Sequence, residues 1–436
     1  MLGSMPCRRS AGTLPPSLPP SRRSRLRRLV AAALGGLLLP ALGVAPSSAA
    51  APDRLPPTTA FTPLTAALIT TPAPFRGSDG LTHLSYELLL TNALSARVRL
   101  DQVDVADPRS GRVLWSLTGR ALVAASNPVG MPRPSDADGG DASPRQPDAA
   151  PVLASSATWV VWLDLVLKPG TPLPQALVHR LRTAVLAPDG GATPVRESVG
   201  RTAVVQHPPV ALAPPVQPGT WYASESCCGN THHRRGLAPI NGALYVPQRF
   251  AVDWFRLGSR NQAWQGDPRK LTSYLGFRQP VLAAAAGRVV DVQDGLRDNT
   301  PPVPPAIPPI QDTVGNHITL EVAPGVYLLY AHLEAGSLEV RRGDRVTPGR
   351  MLARIGNSGN STTPHLHFQV MTTREFFPTD SPPYVFRAFT LLGQVGPRIW
   401  DDNLGLQPTG VLPVVPAAPP TRHALELPLD RNVIAF

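Results

Sequence analysis

Between residues 60 and 205 the apolar positions recur at every second residue. In "LTHLSYELLLTN" Leu84, Tyr86, Leu88 and Leu90 share one face, and in "TWVVWLDLVL" Trp159, Val161, Leu163, Leu165 and Leu167 do the same. A pleated chain sends successive side chains to opposite sides, so this alternation predicts strands with one face buried. Turn-rich pieces such as "ADPRSGR" divide the runs, the pattern of a small antiparallel β-sandwich. The stretch 126–151 has almost no large apolar residue and reads as a mobile loop. A proline-marked stretch, 207–219, reads as a linker. Beyond it "QRFAVDWF", "PVLAAAAGRVVDVQ", "HITLEVA", "VYLLYAHL" and "MLARIGNSG" are again short β-like runs, divided by glycine, proline and asparagine. After about residue 400 the chain turns to prolines and small residues. The expected organisation is mainly β: a sandwich over 52–206, the linker over 207–219, a second strand-rich domain over 220–400, and a loosely packed, Pro-rich tail over 401–436.

Composition changes this picture at the N-terminus. The first fifty residues carry seven arginines and no acidic residue, then "LVAAALGGLLLPALGVA", then the small residues "PSSAAAP". That order is the signature of a secretory signal over 1–51, cleaved near Ala49 to Ala51. The apolar run is interrupted by Gly35, Gly36, Pro40 and Gly43, so no stable membrane span is expected once the signal is removed. The expected address is secreted, periplasmic or cell envelope. Taking off the seven arginines lowers the formal charge from +11 to +4. A nucleic-acid partner loses its main support, and no aromatic-interleaved basic stripe replaces it. Mild positive charge suits an anionic cell-wall polymer. The remaining cysteines, Cys227 and Cys228, are neighbours. They exclude a disulfide framework and leave a vicinal disulfide or a pair of metal ligands as alternatives.

Candidate chemistry gathers in the second domain. Six of the ten histidines lie there before residue 370: His232, His233, His317, His332, His365 and His367. The other four, His83, His179, His207 and His423, stand isolated along the chain. In "TTPHLHFQVM" (362–371) the alternation points His365 and His367 one way and Leu366 and Phe368 the other. Two imidazoles on one patch are either core histidines or part of a metal site. Asp253 lies between Val252 and Trp254, where a carboxylate is costly unless it is bound or hydrogen-bonded. The loop "GNSGNS" lacks the lysine and helix of a nucleotide cradle and reads instead as a wall of a substrate groove.

Read in order, "NTHHRRG" (230–236), "QRFAVDW" (248–254), "LLYAHLEAGSLEVRRGDRVTPGRML" (328–352) and "GNSGNSTTPHLHF" (356–368) closely resemble the lysostaphin-like zinc endopeptidases of bacterial cell walls, over roughly residues 216–395. The resemblance implies a lysostaphin-like antiparallel β-sheet groove domain and a Zn²⁺ ion held by one histidine, one aspartate and the second histidine of His-x-His. Carried over, Asp253 and His367 are metal ligands, and His332 and His365 are the unligated pair that handles the proton and the oxyanion. The chain departs from the common pattern four residues before the aspartate, where Arg249 stands instead of a histidine. A subgroup with Gln-Arg-Phe-Ala before the aspartate takes its histidine from an upstream His-Arg pair, which implies His233, with His232 as the alternative. The implied activity is peptide-bond cleavage in peptidoglycan stems or cross-bridges. The competing expectation, prompted by Arg249, is a catalytically inactive wall-binding or amidase-activating module of the same fold.

Overall fold

A computed structural model describes residues 61–130, 150–396, 404–405, 407 and 409–436. The expected signal and positions 131–149 of the expected mobile loop lie outside these residues. Strands Leu64–Leu68, Thr82–Asn92, Thr158–Leu167 and Ser126–Pro128 pair in that order in one sheet. Strands Ala192–Ala203, Ala176–Leu186, Arg97–Ala106 and Val113–Thr118 pair in the other. All these pairs are antiparallel. Leu84, Tyr86, Leu88 and Leu90 meet Val98, Leu100, Val103 and Val105 in the core between the sheets. The opposite face of Thr82–Asn92 is buried too, and it carries Ser85 and Glu87.

The second half of the chain builds a ten-stranded sheet. Its order is Arg345–Val346, Gly287–Gln293, Asn316–Ala323, Val326–Leu333, Leu366–Met371, Val252–Arg256, Thr220–Ser224, Asn432–Ala435, Phe389–Val395 and Val414–His423. Every neighbouring pair is antiparallel. Leu328, Tyr330, Leu366, Phe368, Val252, Trp254, Trp221 and Ile434 share one apolar face. The alternation that buries Val252 and Trp254 there turns Asp253 to the other face. Among the described residues no helix is long and apolar enough to cross a membrane.

Several expectations change. The tail is not loosely packed: its last strand lies inside the sheet, between Thr220–Ser224 and Phe389–Val395. Pro416, Pro419 and Pro420 belong to Val414–His423, the edge strand of the sheet, where a missing N–H leaves no ladder bond unmade on the outer side. Prolines at that edge, and a final strand only four residues long, conceal the order from a composition reading. The expected linker is packed as well, because Val210–Leu212 pairs in parallel with Tyr384–Phe386 and Leu212 and Val216 enter the core. The first residues of the expected loop, Ser126–Pro128, are an edge strand of the sandwich. Cys227 and Cys228 form a vicinal disulfide.

Ile434 is fully buried in the core of the ten-stranded sheet. Ile434→Ala is therefore expected to lower unfolding stability by about 2–5 kcal/mol. Urea unfolding of the two proteins checks this, and a midpoint unmoved by the substitution would return the C-terminus to the status of a loose tail.

Candidate metal centre

Three adjacent strands bring the candidate residues together. Asp253 is the direct cross-strand partner of His367, and His367 is the partner of Ala331 on its other side. Directly opposed residues on one sheet face lie within side-chain reach. His332 reaches the same patch through a bulge: Asn316 pairs with Leu333 and Ile318 with Tyr330, so Ala331 and His332 together oppose His317. A bulge re-aims the side chain that it carries. His332 adopts φ 60°, a left-handed conformation that costs a non-glycine residue about 1–3 kcal/mol and persists where the surroundings hold it. His365 lies just before Leu366–Met371 and stacks on Phe255 at 5.0 Å. His233 sits on a short helical turn, His232–Arg235, capped by the Thr231 side chain.

The imidazole centroids are 4.8 Å apart for His233 and His367, 4.9 Å for His332 and His365, and 5.7 Å for His332 and His367. All five candidate side chains are buried. Ligand atoms of His233, Asp253 and His367 lie within 4.8 Å of one another. Of the neighbouring pair, His233 enters the cluster. His232 turns to Glu225, whose carboxylate accepts from the His232 backbone N–H at 2.5 Å.

The partners of each imidazole assign its tautomer. A carbonyl oxygen only accepts, so Nδ1–H donates in three cases: His332 to Ser358 O at 2.8 Å, His365 to Thr363 O at 2.7 Å and His233 to Ala251 O at 3.4 Å. For His367 the assignment is reversed. Gln369 Nε2 donates to Pro247 O at 2.8 Å, which turns Oε1 toward His367 Nε2 at 2.8 Å. His367 Nδ1 therefore faces Asp253 Oδ1 at 2.9 Å, and His233 Nε2 faces Asp253 Oδ2 at 3.3 Å, as acceptors against acceptors. One donor atom from each of these three residues lies within 4.8 Å of the others, and a gathering of imidazole nitrogens and a carboxylate oxygen of this kind fits a cation such as Zn²⁺.

Electrostatics point the same way. Burial would raise the Asp253 carboxyl, but His233, His365 and His367 outweigh it and hold the group well below the ordinary carboxylate range. Burial lowers His233. Burial, and then the neighbouring imidazoles His365 and His367, push His332 well below its ordinary value. Burial thus disfavours the protonated forms of His233 and His332, which leaves these imidazoles available as metal ligands or bases.

The structure also places groups that sequence reading passed over. Gln369, two residues beyond His367 and on its face, orients it; the signal was there in the His-x-His-x-Gln alternation. The loop "GNSGNS" supplies the carbonyl of Ser358 that holds His332. Gly315, at φ 63°, lies so close to that loop that a Cβ on it would stand 2.5 Å from Ser358 O. Arg249 points away from the cluster to the carboxylates of Glu87 and Asp380. The histidines outside the cluster are not isolated: His83 lies between Asp79 and Asp164, and His423 contacts Glu426. His179 meets Tyr86 Oη, and burial lowers it to about 4. Because Gln369 fixes the His367 tautomer, Gln369→Leu is expected to weaken divalent-metal binding about 10–100-fold. Competition against a chromogenic chelator measures the loss, and wild-type affinity in the variant would refute the assignment.

Residues 275–378 match the family described as Peptidase family M23. No curated protein matches the chain. Among solved structures, the chain is similar to the catalytic domain of the prophage-encoded M23 protein EnpA from Enterococcus faecalis, with 18% identity, 37% of this chain and 86% of that one covered, and a TM-score of 0.23. It is similar to the catalytic domain of the antimicrobial peptidase lysostaphin from Staphylococcus simulans, with 22% identity, coverages of 38% and 89%, and a TM-score of 0.22. It is also similar to a zinc-containing peptidase from Vibrio cholerae, with 15% identity, coverages of 70% and 81%, and a TM-score of 0.19. These structural likenesses are shallow, and the matched residues carry the assignment. His332, His365 and His367 fall inside the matched span, and the chain carries a Peptidase family M23 domain over residues 275–378.

Proposed function

We propose that the protein is a secreted zinc metallopeptidase of the cell envelope that hydrolyses peptide bonds in peptidoglycan stems or cross-bridges. The observation that carries this reading is the set of three lone-pair atoms, from His233, Asp253 and His367, converging beside two further imidazoles whose Nδ1–H groups are already committed to backbone carbonyls. A zinc ion at such a site supplies a polarised carbonyl and a water of lowered pKa. His233 Nε2, one Asp253 oxygen and His367 Nδ1 would hold it. His332 and His365 are fixed as Nδ1–H tautomers, so each turns Nε2 into the site as a base. A neutral imidazole there takes the proton of the attacking water and, once charged, returns it to the leaving amine. With Nδ1–H held by a carbonyl, its partner would stabilise the developing oxyanion only after Nε2 also takes a proton, as an imidazolium. The low affinity of His332 for protons keeps it in the basic form at neutral pH. The formal charge that remains without the arginine-rich leader suits an anionic wall polymer.

The competing reading, an inactive wall-binding or amidase-activating module, drew on Arg249. That residue has another occupation, as the partner of two carboxylates, and His233 stands in the cluster in its place. Metal content and turnover separate the two readings. His233→Ala and His367→Ala are expected to lose both bound zinc and wall hydrolysis. His332→Ala and His365→Ala are expected to keep stoichiometric zinc while hydrolysis falls by about 10²–10⁴-fold. Metal analysis of the purified variants beside a muropeptide-release assay tests this, and full hydrolysis by the His367 variant would falsify the mechanism. For the unaltered chain, mass analysis of released muropeptides is expected to show newly cleaved peptide bonds. A strong chelator is expected to abolish the release and added zinc to restore it. Release that a chelator leaves untouched would exclude a metallopeptidase.

A further inference from the structure

Glu87 belongs to the sandwich strand Thr82–Asn92, more than a hundred residues before any member of the metal cluster, yet its carboxylate is fully buried against that half of the chain. Arg234 Nη1 donates to Glu87 Oε1 at 2.5 Å. Arg249 donates to the same carboxylate through Nε, at 2.9 Å to Oε1, and through Nη2, at 2.7 Å to Oε2. Each guanidinium is otherwise satisfied. Arg234 reaches Ser85 Oγ at 2.7 Å, Tyr86 O at 3.0 Å and Leu163 O at 3.1 Å, all on the sandwich, and lies over the Trp162 ring at 5.2 Å. Arg249 Nη1 pairs with Asp380 and reaches Ser381 O at 3.3 Å. Two guanidiniums and two carboxylates make the network electrically balanced, as burial requires.

What the clamp holds gives it a consequence. Arg234 directly follows His233, and Arg249 opens the turn that leads through Ala251 to Asp253. Ala251 O is the acceptor that orients His233. The turn His232–Arg235 belongs to no sheet and is only four residues long, so local backbone bonding does little to set where His233 stands. Glu87 ties both segments to one point on a rigid strand. We propose that Glu87 is a positioning residue of the metal site, so that the sandwich completes the centre by setting the distance between His233 and Asp253. The proposal rests on the reading of His233, Asp253 and His367 as metal ligands. It assigns the sandwich a part in the chemistry that the span 275–378 does not contain.

The test is metal affinity in the full chain, by competition of zinc against a chromogenic chelator, together with the visible spectrum of the cobalt(II) form. Glu87→Gln is expected to weaken zinc about 10–100-fold, the range seen when outer partners of ligands are removed, and to change the cobalt absorption. Leu88→Ala, on the opposite face of the same strand and in the sandwich core, is the control. It is expected to lower thermal stability while leaving affinity and spectrum as in the wild type. Equal zinc affinity in the wild type and Glu87→Gln, or equal losses in both variants, overturns the proposal. If Glu87→Gln does not fold, Arg234→Lys keeps the charge and gives up the fork: weakened zinc supports the clamp, and wild-type affinity overturns it. A wild-type chain that binds no zinc removes the ligand reading together with the proposal. A wild-type chain that binds, with variants that bind equally well, removes the proposal alone.

Discussion

A carboxylate buried at the centre of a sheet has to be matched, and the architecture around Asp253 is organised by that need. Its neighbours in sequence, Val252 and Trp254, are locked into the apolar face, so the pleat turns Asp253 to the opposite face, where it is also buried. An unmatched charge there would cost several kcal/mol. Imidazoles from Leu366–Met371 and its approach, together with the turn that carries His233, surround it instead. Because the backbone and Gln369 commit imidazole protons elsewhere, the cluster presents lone pairs around this carboxylate.

This dependence explains why so much irregular structure surrounds a regular sheet. Antiparallel pairing supplies Asp253 and His367 by register alone, at no conformational cost. His332 needs a bulge and a left-handed backbone, which the Ser358 loop and the closely packed Gly315 support. His233 needs a turn outside the sheet, and the arginine beside it anchors that turn in another core.

The sandwich meets the C-terminal half of the chain through the outer face of one sheet. The alternation in Thr82–Asn92 puts Leu84, Tyr86, Leu88 and Leu90 in the sandwich core and leaves Ser85 and Glu87 facing outward. Leu89, Val160 and Trp162 on that outer face pack with Leu237 and Val246, so apolar area surrounds the buried ion network. Desolvated in this way, the paired charges act at low dielectric, where geometry matters most.

The sequence by itself determined the strands, the mainly β class and the faces of the His-x-His segment, because period-two alternation is a local property that burial of one face enforces. Motif order, through the family resemblance it carries, pointed to Asp253, His332, His365 and His367 and to one of the neighbours His233 and His232. The partners of those residues were not legible. Glu87 reads as one acidic position in an apolar strand, Arg249 as a missing ligand, and the last strand as the end of a proline-rich tail. Only the tertiary structure decided that His233 rather than His232 enters the cluster, that Gln369 selects the His367 tautomer, and that Asn432–Ala435 fills the sheet. The physical reason is that tautomers, charge pairs and strand insertion depend on contacts between residues as much as two hundred positions apart, and no local pattern records them.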